Sequence, residues 1–315
     1  MRAHVVLAVL LVAPPAGALT LESVTVGNPN NAADTPPSNC DADDCGSVPY
    51  VYAIGKYEVT NAEYAEFLNA KAASDPFALY DTRMGSDASF GGITRSGSDG
   101  DYTYAVKAGF EDEPVVFVSY YDALRLANWL HNGQGTGDTE TGAYAVTFDG
   151  IVDNTIVRAG GATVFVPSEN EWYKAAYYDP ALSDYYDYPA GADDAIGCVA
   201  PASDTGNSAN CGNAQTGLTD VGAYPLSVSP YGTLDQGGNV WEWNEEIVGS
   251  GRGLRGGSWN FPAGFTAASG PDQIDPMMGY SHVGLRLASV VVPEPAQLLL
   301  ALIGALVLSA CRLRA

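Results

Sequence analysis

Three stretches of the chain place apolar residues at three- or four-residue spacing, and each opens on the same polar device. Thr60-Asn61-Ala62-Glu63, Ser119-Tyr120-Tyr121-Asp122 and Ser168-Glu169-Asn170-Glu171 all set a hydroxyl three positions ahead of a carboxylate. That spacing lets the two side chains take amide donors that a helix leaves unpaired at its start, so three helices are predicted, the Asp version being the weakest. The first should bury Tyr64, Phe67 and Leu68, the second Ala123, Leu126, Ala127 and Leu130, and the third Trp172, Ala175 and Ala176. A short β-like run precedes each helix: Tyr50 to Tyr57, Val115 to Val118 and Val164 to Val166.

Elsewhere Gly, Asn, Asp and Ser dominate, above all from Gly85 to Gly100 and from Gly191 to Gly217, so long structured loops carry much of the mass. No repeat and no Pro/Ser linker divides the chain. The pattern reads as one α+β domain with little regular structure, an architecture that commonly uses disulfides or bound ions to hold loops down.

The two ends are patterned differently. After Arg2 comes an apolar run from Val5 to Ala13, then Pro14-Pro15 and the small residues Ala16-Gly17-Ala18. Residues 1–18 read as a signal peptide, which makes the protein exported. At the far end Pro293-Glu294-Pro295 precedes the uncharged run Ala296 to Ala310, followed by Cys311-Arg312-Leu313-Arg314-Ala315. A helix of that length spans ~22 Å, short of a ~30 Å hydrocarbon core. The order of parts over 293–315 resembles a PEP-CTERM sorting signal. That resemblance implies exosortase-type sorting machinery as a partner, membrane contact through the tail, and a place in the bacterial cell envelope, anchored or released to the matrix after processing. A plain C-terminal transmembrane segment is the alternative.

Composition narrows the function classes. With 14 Lys+Arg against 37 Asp+Glu the formal net charge is −23, which excludes a basic footprint for nucleic acid. Charged residues are only 16% of the chain and hydrophobic ones 46%, so a packed core is within reach. Only His4, His131 and His282 are present, too few and too scattered for a site built from clustered imidazoles. Cys40 and Cys45 bracket an Asp-rich loop, Cys198 and Cys211 a Gly/Ala/Ser/Asn segment, and Cys311 stands alone. Two local disulfides, Cys40-Cys45 and Cys198-Cys211, are the natural pairing in an oxidising compartment, although four cysteines allow three connectivities.

Six segments then fall in a telling order: Gly55 to Asn61; Pro114-Val115 with Asn128-Trp129-Leu130; Val166 to Ala176; Gly238-Asn239-Val240-Trp241-Glu242-Trp243; Arg255-Gly256-Gly257-Ser258-Trp259; and Gly284-Leu285-Arg286. Together they resemble the sulfatase-modifying-factor family, the formylglycine-generating enzyme domain. The resemblance places that domain at 50–289, after an N-terminal extension over 19–49 that holds the Cys40/Cys45 loop. It implies a single loop-rich fold related to C-type lectins, and it implies calcium. Matched residue by residue, the calcium ligands would be the side chains of Asp235 and Glu242 and the carbonyls of Gly238 and Val240. Two carboxylates seven positions apart around Gly237-Gly238 suit a hard cation on their own account. A purely structural turn, with Trp241 and Trp243 in the core, is the other reading. A second family site would begin at Asn210 and Cys211, but its later ligands fall where this chain is shortened, before Asp220-Val221-Gly222.

Catalysis in the family depends on two copper-binding cysteines after the Gly-Gly-Ser-aromatic motif. Here those positions are Phe261 and Thr266, and no cysteine lies between Cys211 and Cys311. Copper(I) needs soft sulfur, so copper is not expected, and Met277 and Met278 read as packing. The family's iron-dependent sulfoxide synthases need a histidine cluster that this chain lacks. Ser258 has no histidine base near it in sequence and reads as a donor to backbone. Ser258, Trp259 and Phe261 are groove candidates, with Tyr120 and Tyr121 as further stacking faces or as core. The expectation is a calcium-stabilised binding module for a peptide or an extracellular glycan, with no catalytic residue assigned. The alternatives are an oxidoreductase or other metal-dependent enzyme of altered chemistry, and a structural matrix protein.

Overall fold

The computed structural model describes residues 18–34 and 45–291. In chain order its principal elements are β1 (Ser23–Val26), β2 (Tyr52–Gly55), α1 (Asn61–Lys71), α2 (Tyr120–His131), β3 (Val164–Phe165), α3 (Glu169–Tyr177), β4 (Trp241–Val248), β5 (Gly251–Arg255), β6 (Asp272–Ile274), β7 (Val283–Gly284) and β8 (Ala288–Val290). Two short hairpins and several single turns occupy the loops between them, and the result is a mixed α/β fold.

All three helices start where the polar device placed them. Thr60, Ser119 and Ser168 each accept the backbone N–H of Glu63, Asp122 and Glu171, whose carboxylates accept from the cap backbone in return. Each such cap is worth about 1 kcal/mol. The burial is wider than an amphipathic stripe. From Tyr120 to Trp129 every residue of α2 is buried, and so is every residue of α3 from Glu171 to Tyr177. A helix covered on all sides cannot show its environment as a stripe.

One sheet has the order β1-β2-β8-β3, antiparallel throughout, so its centre joins strands from near both ends of the described chain. β1 comes from the segment expected to be an extension. The other sheet has the order β6-β5-β4-β7, with β7 parallel to β4. Between β7 and β8 the chain steps from one sheet to the other, and Arg286 sits on that step.

Two expectations need correction. Val115 to Val118 forms no strand: Phe117 has φ +63°, a left-handed conformation that breaks extended geometry, although all four residues are buried. Met277 and Met278 are not packing residues, being 61% and 42% exposed. Cys198 and Cys211 are bonded, Cα to Cα 4.8 Å. Cys45 is also disulfide-bonded, and the partner expected for it, Cys40, lies outside the described residues. Both chain ends lie outside them too. Among the described residues no helix is long and apolar enough to cross a membrane.

Candidate functional site

The loop ahead of β4 turns sharply. Asp235 and Asn239 have φ near +60° and Gly238 φ +84°, and a Cβ on Gly238 would lie 2.3 Å from the Asn210 carbonyl oxygen. Glycine is required there by close approach. The turn brings Asp235 and Glu242 to the guanidinium of Arg286, which is fully buried, and Asn239 to Glu58. Arg286 donates from Nε and Nη2 to the two oxygens of Glu242 at 2.9 and 2.8 Å, from Nη1 to the Gly55 carbonyl at 2.7 Å, and from Nη2 to the Leu234 carbonyl at 2.8 Å. Glu242 also accepts from the indole N–H of Trp172 at 2.7 Å. The Arg286–Glu242 pair thus ties both sheets to α3.

The charges around Arg286 do not balance. Glu58 is 1% exposed and its Oε2, 4.0 Å from Arg286 Nη2, has no hydrogen-bond partner; its Oε1 accepts from Asn239 Nδ2 at 3.2 Å. Burial, then the neighbouring Asp235 carboxylate, pushes the Glu58 carboxyl well up. Burial pushes Asp235 up as well, against a hydrogen bond from the Gly222 amide at 2.5 Å. Three carboxylates face one guanidinium in the interior.

This geometry bears on the calcium ligands. Asp235 borders a cavity of about 10 Å³, room for one water or ion, that is also lined by Ser208, Ser227 and Thr233. Asn210 is buried with its Oδ1 unpaired, while its Nδ2 donates to the Gly217 carbonyl. Excess buried negative charge at Asp235 and the open oxygen acceptor of Asn210 each suit a hard cation. Glu242 fits less well, since Arg286 and Trp172 use its acceptors. Among the described residues no three His, Cys, Asp or Glu side chains converge as a metal shell.

Phe261 and Thr266, expected from the resemblance at the thiolate positions, lie in and beside an aromatic cluster. Phe261 packs edge-on to Trp241 and Phe265 and leans on His282. Thr266 is fully buried, its hydroxyl donating to the Ala263 carbonyl at 2.8 Å. Trp259 stacks on Phe90 with ring centres 5.0 Å apart, and its indole N–H is buried without a partner. The Ser258 hydroxyl donates to Asn260 Oδ1 at 2.8 Å, a side chain rather than the backbone partner expected. Tyr120 and Tyr121 belong to the core. Burial pushes the His282 imidazole below its ordinary value, and His131 is bonded to Thr163.

Sequence reasoning missed Glu58 and Arg286 as centres of the site, although both lie in the quoted motif segments. The available signal was a charged residue flanked by apolar ones, as in Tyr57-Glu58-Val59 and Leu285-Arg286-Leu287. It also missed a groove of about 580 Å³ between Phe77, Phe148 and Met277.

A sheet pair joined at a buried arginine, with the Gly-Asn-Val-Trp-Glu-Trp turn against it, defines a domain of the formylglycine-generating-enzyme type. The chain belongs to the sulfatase-modifying factor enzyme 1-like domain family, which matches residues 22–291. It is 28% identical to the hercynine oxygenase of Mycolicibacterium thermoresistibile, over 75% of this chain and 50% of that one. It is 26% identical to the hercynine oxygenase of Mycobacterium tuberculosis, over 75% and 52%. The chain therefore spans about half the length of the curated relatives it matches. Among solved structures it resembles CarF, with TM-score 0.55, 19% identity, and 87% of this chain against 100% of that one. It also resembles Treponema denticola variable protein 1, with TM-score 0.52, 22% identity, and coverage of 85% and 95%. Both likenesses concern the fold.

Proposed function

We propose that this domain is an exported recognition module that binds a peptide or an extracellular glycan and does not oxidise cysteine. The observation that carries the reading is the aromatic cluster: Phe261 and a buried Thr266, which the resemblance matches to the soft-metal ligand positions, supply no sulfur. Trp259 and Phe261 are half-buried, so part of each ring is left open to a ligand. Calcium is proposed to stabilise the turn through Asp235, Gly238 and Val240, with Asn210 at a second position; Glu242 joins the set only by giving up a bond to Arg286 or Trp172. The excess charge around Arg286 and the open oxygen of Asn210 support a cation in this region. Display at the envelope through the C-terminal tail completes the proposal.

The relatives named hercynine oxygenases motivate a second reading, a metal-dependent oxygenase of altered chemistry. One preparation tests both. The chain, loaded with copper(I) or iron(II) and given a cysteine-containing peptide or hercynine, should consume no oxygen above background; turnover with either metal sinks the recognition reading. The same chain, stripped with a chelator and titrated with calcium, should gain about 2.7 kcal/mol at a hundredfold excess over the dissociation constant.

A further inference from the structure

The groove of about 580 Å³ lies between the loop before α2, the loop that contains Phe77, the turn around Phe148 and the segment ahead of Tyr280. Its rim is apolar and open: Phe148 is 80% exposed, Met277 and Val152 each 61%, and Phe77 43%. Each polar side chain that lines it has a partner within the fold. Arg83 makes two bonds to Asp81, at 2.9 and 2.6 Å, and its guanidinium lies over the Phe117 ring. Arg125 makes two bonds to Glu140, at 2.8 and 3.1 Å, and lies over Phe77. Ser119 donates to Asp122, and the Tyr121 hydroxyl donates to the Ile151 carbonyl.

The wall is held rigidly. Phe117 keeps its left-handed backbone while its amide donates to the Tyr280 carbonyl at 3.0 Å. Gly279 makes this possible, since a Cβ there would lie 2.4 Å from the Phe117 carbonyl carbon. A bulky residue in that conformation is a strained arrangement, of the kind that clusters at ligand clamps.

We infer that this groove binds an extended peptide whose apolar anchor residues are flanked by lysine or arginine. The inference rests on the recognition reading and deepens it. A sugar is held by donors and acceptors around a ring face, and the hydroxyls and carboxylates that line this groove are already paired within the fold, so the anchor is apolar. The net charge of −23 attracts a cationic segment and repels an anionic lipid surface, which selects the flanks and disfavours a membrane. The volume suits two or three side chains of a strand-like segment.

Fluorescence anisotropy with the full chain and three labelled peptides tests this. The peptides are a phenylalanine-leucine-leucine core flanked by lysines, the same core flanked by glutamates, and a glycine-serine core flanked by lysines. The first alone should bind, more weakly as salt rises, and Phe148→Ser or Met277→Gln should each weaken it ~10-fold, both positions being too exposed to unfold the chain. Equal binding of the glycine-serine peptide overturns the groove, because charge alone would then suffice. Binding that survives both substitutions but is lost in Trp259→Ala also overturns it, and leaves recognition standing on another face. Retention on neutral or anionic phospholipid vesicles that Phe148→Ser abolishes makes the groove a membrane contact. Failure of all three peptides ends the inference without touching the oxygen-consumption test.

Discussion

The Arg286 centre and the Phe77–Phe148 groove invert the usual distribution of polarity. Inside, Glu58, Asp235 and Glu242 crowd one guanidinium and leave a carboxylate oxygen unpaired. Outside, aromatic and thioether side chains face solvent while the two arginines that line the groove are paired with carboxylates. A protein normally buries its apolar groups and solvates its charges, and both departures cost free energy. The interior departure has a structural return, because Arg286 bonds the Gly55 carbonyl of one sheet and Glu242 of the other. The groove has no such return within the fold, which is why a ligand is sought for it. The contrast teaches that an expensive arrangement marks function only where the fold itself draws nothing from it.

The largest effect should come from breaking the interior arrangement. Arg286→Met keeps much of the volume but leaves Glu242, Glu58 and Asp235 without a counter-charge, and removing one partner of a buried pair costs about 3–5 kcal/mol. Denaturant unfolding should show a loss of that size, or no folded protein at all. A loss under ~1 kcal/mol would mean that Arg286 is not the tie between sheets.

How much of this was legible beforehand differs between the same two regions. The helix starts were fully legible, because a hydroxyl and a carboxylate three residues apart act locally and the caps form wherever the chain goes. The Asp235–Glu242 turn and the Cys198–Cys211 bond were legible for the same reason. Val115 to Val118 looked like a strand because burial, not pairing, selects its residues; the left-handed Phe117 follows from contact with Gly279, more than 150 residues away. The Arg286 centre gathers residues from Glu58 to Arg286, so no local pattern could assemble it. The groove was hidden for a different reason. Methionines and phenylalanines in a sequence are most often core, and only the fold shows which ones are left outside.

A smaller effect should sharpen the interior half of the comparison. Glu58 and Asp235 have folded-state pKa values raised above their unfolded ones, Asp235 to about 6. Below the ordinary carboxylate range both states hold the proton and these groups leave stability unchanged. From about pH 4 upward the unfolded chain ionises first, so stability falls as pH rises, until each folded value has been passed. Glu58→Gln removes one of the two and supplies an uncharged amide beside Asn239. It should flatten that decline, stabilising the chain more at pH 7.5 than at pH 4.5. Urea midpoints for both proteins across that range check it, and parallel curves would show that Glu58 is ionised or cation-bound when folded.

The smallest effect decides the other half. Phe148 is 80% exposed and Met277 61%, so neither contributes appreciable burial to the folded state. Phe148→Ser and Met277→Gln should change unfolding free energy by no more than about 0.5 kcal/mol, the range for surface sites away from special features. The same substitutions lower peptide affinity if the groove is a binding surface, so stability and binding separate at these positions. A loss of 2 kcal/mol or more in stability would instead show that the rim packs against part of the chain itself. The groove would then resemble the Arg286 centre, with its cost repaid inside the fold, and no external ligand would be needed to account for it.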